Sequence, residues 1–450
     1  MLCSVLAMAE MATVGEGGEG DASVLHQIKD TVDKLYEFRD HYFEQHGIDR
    51  AAQKAEDVKA EVSKAMKLLD ELQETCPNKA QVYMQRGRAL NVTSDFDPEA
   101  LDVLSKAVKL DPSLVEAWNN LGECYWKKGD VEAAKNCFSG ALAKSRNKVS
   151  LRNLSMVLRQ LGTDPVERLK NIQESVTVAK EAVQLDVNDG TSWFVLGNAY
   201  LSVYFSGDQN LQILKQCMSA YNQAEGDVVA KSNPDLHFNK ATVLRYEEQF
   251  QLALMHWDQA SALDPTWDQP NMKQTQLLSY LSKVADMVHH KGKLKAKRLQ
   301  SMLKSLSEKD LGPYGGGSFE SSTGKKVPLE STTLANLASG LNKNKLVLGK
   351  VVCSVTAEET IPFTFALTDK EGTCFAVTVY NVAPNYGTIV GDSVAIPEPF
   401  LQHVDFQHKD KKFQFSVIRV ETPLVLVVNS RKLGLDKQAP TVLACTTMSE

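Results

Sequence analysis

VEAWNNLGECYWKKGDVEAAKNCFSGALAKSRN, residues 115–147, places Trp118, Leu121, Gly122, Tyr125, Ala134, Phe138 and Ala141 on the apolar stripes of two successive helices. The small residues Gly122 and Ala134 let two antiparallel helices approach closely, while Trp118, Leu121, Tyr125 and Phe138 fill the seam between them. One hairpin of this kind cannot bury its apolar face alone, so further copies are required at a spacing of about 34 residues.

The copies are present, and their spacing is that of tetratricopeptide repeats. Tyr83, Gly87, Ala100, Ala107 and Pro112 repeat the pattern upstream, and Trp193, Leu196, Gly197 and Tyr200 repeat its first helix downstream. Ala241, Ala253, Trp257, Ala260 and Pro265 form another copy. Leu151, Leu154, Leu158, Gly162 and Ala182 mark a weaker unit, and Ala220, Tyr221 and Ala224 supply the helix that follows Tyr200. Two long amphipathic helices over 24–75 precede the array as a degenerate cap. The reading is an α-solenoid of about six units spanning 21–307.

The net charge of −6 gives no general attraction to nucleic acid or membrane. No apolar run reaches the roughly 18 residues that span a bilayer. The opening MLCSVLAMA is short and lacks a preceding basic residue, so it does not read as a secretory signal, and the glycine-rich stretch after it puts 1–20 in a disordered class. The 8 cysteines show no C-x-x-C spacing, which implies reduced thiols and no zinc site. There is no phosphate-binding glycine loop, H-E-x-x-H or G-x-S-x-G elbow, so the expectation is a protein without catalytic activity, cofactor or metal. His289 and His290 have no ligand partner at helical spacing.

Residues 289–306, HHKGKLKAKRLQSMLKSL, continue as a basic helix whose Leu299, Met302, Leu303 and Leu306 can pack on the last repeat. Lys291, Lys293, Lys295, Lys297 and Arg298 read either as phosphate contacts or a nuclear import signal, or as a solvated cap face. The Gly, Ser, Thr and Pro content of 308–340 reads as a linker. Period-two alternation at Phe363, Phe365 and Leu367, and at Phe375, Val377 and Val379, then marks half-buried strands. Five or six short strands in 341–430 fit an oligonucleotide/oligosaccharide-binding (OB) barrel, although Val382–Gly391 is short for the helix often found there. Its lysines are matched by acidic residues, and Phe363, Phe365, Phe413 and Phe415 read as core, so a protein-interaction role is favoured over single-stranded nucleic acid. A disordered tail is expected over 431–450. The fold class is therefore α + β and multidomain: a tetratricopeptide α-solenoid followed by a small OB-like β-barrel.

Helical period assigns one set of first-helix positions to the inner face of the solenoid, where such arrays grip extended peptides. Asn119, Trp126, Arg159, Asn198, Phe194, Asp235, Phe238 and Gln269 fall in that set. The asparagines suit peptide main chain, while Arg159 and Asp235 suit an acidic and a basic side chain of one ligand. Bare aromatics there would cost about 25 cal/mol per Å² of apolar surface.

The stretches NKVSLRNLSMVLRQLGTD (147–164), DGTSWFVLGNAYLSVYFS (189–206) and GDSVAIPEP (391–399), in this domain order, resemble the tetratricopeptide repeat protein 5 (Strap) family. The resemblance implies two roles. In the cytoplasm, such a protein recognises the Met-Arg-Glu N-terminus of nascent tubulin at the ribosome exit and starts tubulin mRNA decay. In the nucleus, it scaffolds an acetyltransferase coactivator and an actin-nucleating cofactor in the stress response of the tumour-suppressor transcription factor. An alternative weights the nuclear role, with the barrel contacting chromatin or partner proteins in the DNA damage response. The resemblance sets Asp235 against the peptide arginine, Arg159 against its glutamate, and Lys295 and Lys297 on ribosomal RNA. Gln269 departs from the family pattern, which has a carboxylate there.

Overall fold

The computed structural model describes residues 15–206, 209–320, 326–355, 362–384 and 386–439. The chain divides into two compact units, Met1–Pro270 and Asn271–Glu450. No described helix is long and apolar enough to cross a membrane.

The first unit opens with α1 (Gly15–Asp40), α2 (Tyr42–His46) and α3 (Lys54–Leu72). Packed pairs follow: α4 (Lys79–Leu90) with α5 (Pro98–Leu110), α6 (Val115–Lys128) with α7 (Val131–Lys144), and α8 (Lys148–Leu158) with α9 (Pro165–Leu185). Next come α10 (Gly190–Ser206) with α11 (Leu211–Ala224), the single turn α12 (Val228–Lys231), and α13 (Pro234–Tyr246) with α14 (Phe250–Leu263). The expected disorder is corrected for 15–20, which form the first turns of α1; propagation from a helix anchored at buried Ile28, Val32 and Leu35 needs only one bond per added residue. Residues 1–14 lie outside the described residues.

Helix starts follow from side-chain acceptors. Asn78, Asp97, Asp130, Asn147, Asp164, Asn210, Asp227 and Asn233 each accept backbone N–H bonds at the heads of α4, α5, α7, α8, α9, α11, α12 and α13. Pro98, Pro165 and Pro234 occupy first-turn positions, where their missing N–H costs nothing. Asp164→Ala is expected to lower stability by about 1 kcal/mol in urea unfolding, because Val166 and Glu167 lose their acceptor. A change within error would deny the cap that role.

Close approach explains the repeat glycines. A Cβ on Gly87 would lie 2.4 Å from Leu104, one on Gly122 2.5 Å from the Phe138 ring, and one on Gly197 2.4 Å from the Tyr221 ring. The repeat tryptophans do a second job: Trp118 Nε1 donates to Pro112 O at 3.0 Å and Trp193 Nε1 to Val187 O at 2.8 Å, each tying its helix to the loop before it.

The second unit contains α15 (Gln269–His289) from Asn271 onward and α16 (Ala296–Lys304). The single basic helix expected over 289–306 is broken: α15 ends at His289, and Gly292 has φ 66, outside the helical region. The chain turns there because it runs against strand backbone, a Cβ on Gly292 falling 2.4 Å from Val352 O. Leu299 accordingly packs with Met287, Val288 and Leu294 on Val352, Cys353 and Ala366, rather than serving as a repeat cap.

Strands β1 (Ser318–Glu320), β2 (Lys326–Pro328), β3 (Glu330–Thr332) and β4 (Gly340–Leu341) precede β5 (Lys345–Val355), β6 (Phe363–Thr368) and β7 (Cys374–Val379). They are followed by β8 (Ser393–Pro397), β9 (Phe400–His408), β10 (Lys411–Val420), β11 (Val427–Val428) and β12 (Arg431–Lys432). The sheet runs β8-β5-β6-β7-β10-β9, with β7 and β10 parallel. Only Glu398 (φ 45) and Pro399 separate β8 from β9, and residues of β5, β6, β7, β8, β9 and β10 share one core, the interior of the barrel. Phe365, Phe413 and Phe415 are buried, Phe363 is half-buried against the core, and Tyr386 packs edge-on to Phe363 at 5.2 Å in the segment too short for a helix.

The linker expected over 308–340 is corrected. Residues 308–316 form 3-10 turns that bury Leu311 and Tyr314, β3 pairs in parallel with β5, and Leu334 and Leu337 enter the barrel core. The expected tail is corrected over 431–439 as well, since β12 pairs with β11 and Gln438 bridges Val382. Both pieces use strands of two or three residues, too short for alternation to register. Residues 440–450 lie outside the described residues.

Candidate functional site

Arg159 caps the C-terminal end of α8, immediately before the turn at Gly162, whose φ of 120 a side chain would strain. Its guanidinium is drawn out of water, and that desolvation pulls its pKa down to about 10 against the opposing pull of the Tyr221 hydroxyl. Other arginines on this face are neutralised within the fold. Arg88 pairs with Asp33 at 2.6 Å and Glu116 at 3.2 Å, and Arg152 with Asp189 at 3.2 Å. No carboxylate among the described residues pairs with Arg159.

Tyr221 is the hub beside it. Admitted by the missing Cβ of Gly197, its ring lies 6.3 Å from Phe194, and its hydroxyl donates to Asn198 Oδ1 at 2.7 Å. Burial pushes that hydroxyl's pKa well up, with the nearby Arg159 acting in the opposite direction. Asn239 Nδ2 donates to the same Asn198 oxygen at 3.0 Å, bringing α13 into the cluster.

Asp235 stands one helical turn before Asn239, so it shares the face that Asn239 presents to Asn198. Asp235 as a residue reaches the surface, but neighbouring atoms crowd its carboxylate, which has no cationic partner among the described residues. Desolvation, with a smaller contribution from Asp264, raises its pKa. Phe238 is half-buried, its ring 4.7 Å from Trp267, and Gln269 is half-buried at the head of α15.

Two expected contacts sit differently. Asn119 is buried, its Oδ1 accepting from Ser150 Oγ at 2.6 Å, so it joins α6 to α8 instead of presenting an open amide. Trp126 is half-buried against Phe138 and Val157 and is not bare. Tyr221, Asn239 and Trp267 were not among the inner-face candidates. Tyr221 belongs by period to a second-helix core position, and only the glycine opposite it signals that its hydroxyl reaches through. Among the basic residues, Lys293, Lys295, Lys297 and Arg298 are exposed and Lys291 half-buried, with Lys293 bound to Asp286 at 2.9 Å. Cys124 and Cys137 are pushed up by burial to about 12 and about 11, as inert core thiols are.

This fold is that of a helical-repeat scaffold of the adaptor kind carrying an OB-type barrel. Family models agree: residues 328–442 match the tetratricopeptide repeat protein 5 OB fold domain and residues 97–149 a TPR repeat. Tetratricopeptide repeat protein 5 of Homo sapiens is 52% identical over 429 residues, covering 95% of this chain and 98% of its own. The Mus musculus protein of that name is likewise 52% identical, with the same coverage. The chain belongs to the tetratricopeptide repeat protein 5 family. Among solved structures, a thermophilic TPR protein of Thermus thermophilus matches 44% of this chain and 99% of its own at 17% identity and a TM-score of 0.37.

Proposed function

We propose that this chain is a non-enzymatic adaptor whose helical unit captures the Met-Arg-Glu N-terminus of nascent tubulin at the ribosome exit and recruits the mRNA decay machinery. Arg159 carries the reading: it is a half-buried guanidinium with no carboxylate partner among the described residues, in an array that neutralises Arg88 and Arg152. A ligand carboxylate would complete it by a charge-assisted hydrogen bond. Asp235 offers the complementary charge to the peptide arginine. The Asn198 and Asn239 amides, already bonded to each other, would supply further hydrogen-bonding groups for peptide main chain. Gln269 can accept a hydrogen bond but supplies no charge, so the arginine side of the clamp leans on Asp235. The exposed Lys295 and Lys297 are assigned to ribosomal RNA. In the nucleus, the same protein would serve as scaffold for an acetyltransferase coactivator and an actin-nucleating cofactor.

Asp235→Asn separates this role from a structural one. Because the carboxyl pKa is raised in the fold, its ionised form weakens folding as pH climbs through that pKa, and a neutral amide removes the penalty. The variant is expected to bind a Met-Arg-Glu peptide about tenfold more weakly in fluorescence anisotropy, with an unfolding midpoint no lower than the parent's. Unchanged affinity would rule Asp235 out of the clamp.

A further inference from the structure

We propose that Glu225, His237 and His256 form a zinc-class metal site clipping the last two helix pairs together. The three come from different elements, Glu225 from the C-terminal cap of α11, His237 from α13 and His256 from α14. One donor atom of each lies within 4.8 Å of the other two.

The hydrogen bonds fix which atoms face inward. His237 Nε2 lies 2.8 Å from Lys231 O, and a carbonyl oxygen only accepts, so Nε2 carries the proton and Nδ1 presents a lone pair. Metal-ligating histidines are commonly oriented by just such a second bond to a backbone carbonyl. The Nδ1 atoms of His237 and His256 face each other at 3.1 Å. Two nitrogens on one tetrahedral zinc, at about 2.0–2.1 Å each, stand about 3.3 Å apart, close to the separation already present, so ring rotation alone would let the pair share an ion. Without metal, His256 Nδ1–H makes this contact; with metal, that proton shifts to Nε2 and both Nδ1 lone pairs turn to the ion.

Glu225 supplies the anionic ligand. Its Oε2 accepts from Lys240 Nζ, leaving Oε1 for the ion, and its partial exposure opens a path for entry and for a water in the fourth position. Lys240 is the resident competitor, holding the carboxylate by charge when no ion is bound. Two imidazoles with a carboxylate suit zinc and its borderline neighbours better than calcium or magnesium.

Cobalt(II) titration of the full chain after chelator treatment tests the site, with zinc as competitor. One equivalent should give visible bands of tetrahedral intensity without sulfur charge-transfer absorption, and zinc should bleach them. His256→Gln should weaken uptake at least about tenfold, while Lys240→Met, which removes the competing ammonium, should tighten it severalfold. Circular dichroism reports whether each variant folds. If His256→Gln does not fold, the comparison of the parent with Lys240→Met decides. Absence of the tetrahedral spectrum in the parent overturns the proposal, as does equal uptake by folded His256→Gln, or thiolate bands that place the ion on cysteine.

Discussion

Arg159→Glu is expected to weaken binding of a Met-Arg-Glu peptide to the full chain by about 10- to 100-fold in calorimetry or anisotropy. The lower figure follows from losing one charge-assisted hydrogen bond, and the upper adds repulsion between two carboxylates in a partly dehydrated site. A peptide whose third residue is lysine should reverse the ranking, binding the variant better than the parent. That reversal separates a direct contact from a disturbed groove, which would weaken both peptides alike. The change should leave folding nearly intact, because Arg159 takes part in no internal ion pair among the described residues and the new carboxylate replaces one charge by another at the same half-buried position. Equal affinity of parent and variant would remove Arg159 from the site and with it the main support for peptide capture.

Phe138→Ala is expected to cost about 3–5 kcal/mol in urea unfolding followed by helical circular dichroism. Its ring is fully buried in the cluster with Ala134 and Val157, and it occupies the space left by the missing Cβ of Gly122. The glycine provides a sharper test. Gly122→Val alone should cost about 1–3 kcal/mol by overpacking, since its Cβ meets the ring at 2.5 Å. In the Phe138→Ala background, the same valine enters the vacated space and should be neutral or stabilising, helped by its better helix propensity relative to glycine. Simple additivity of the two substitutions would contradict the direct contact.

The solenoid was legible in the sequence because several repeats set a first-helix glycine against a large apolar side chain of the second helix, as Gly87 and Leu104, Gly122 and Phe138, and Gly197 and Tyr221 show. The strands β6 and β7 were readable because their large apolar residues fall at every second position, Phe363, Phe365 and Leu367 and then Phe375, Val377 and Val379, although both strands are buried on nearly every residue and not on one face alone. The pieces around them were not. Leu334 and Leu337 enter the core singly from a Thr- and Ser-rich stretch, and a lone leucine carries no period. Arg159, Asn198 and Asp235, which the proposed peptide site uses, came from helical phase, but Tyr221 and Asn239 did not. Phase reports where a helix points and says nothing of a tyrosine that crosses between helices, nor of Ser150 closing over Asn119. The break at Gly292 was hidden by the same limit, since only a backbone carbonyl arriving from far along the chain makes the turn necessary.

Residues 308–316 and 427–438, which flank the strands on both sides, are woven into the barrel through Tyr314, whose hydroxyl donates to Val425 O at 2.8 Å, and through the bridge from Gln438 to Val382. Its natural seams therefore lie outside the sequence that looks like strand. Any transplant of this module to a different host, or any splice variant that trims it, must carry both flanks to arrive with an intact interior.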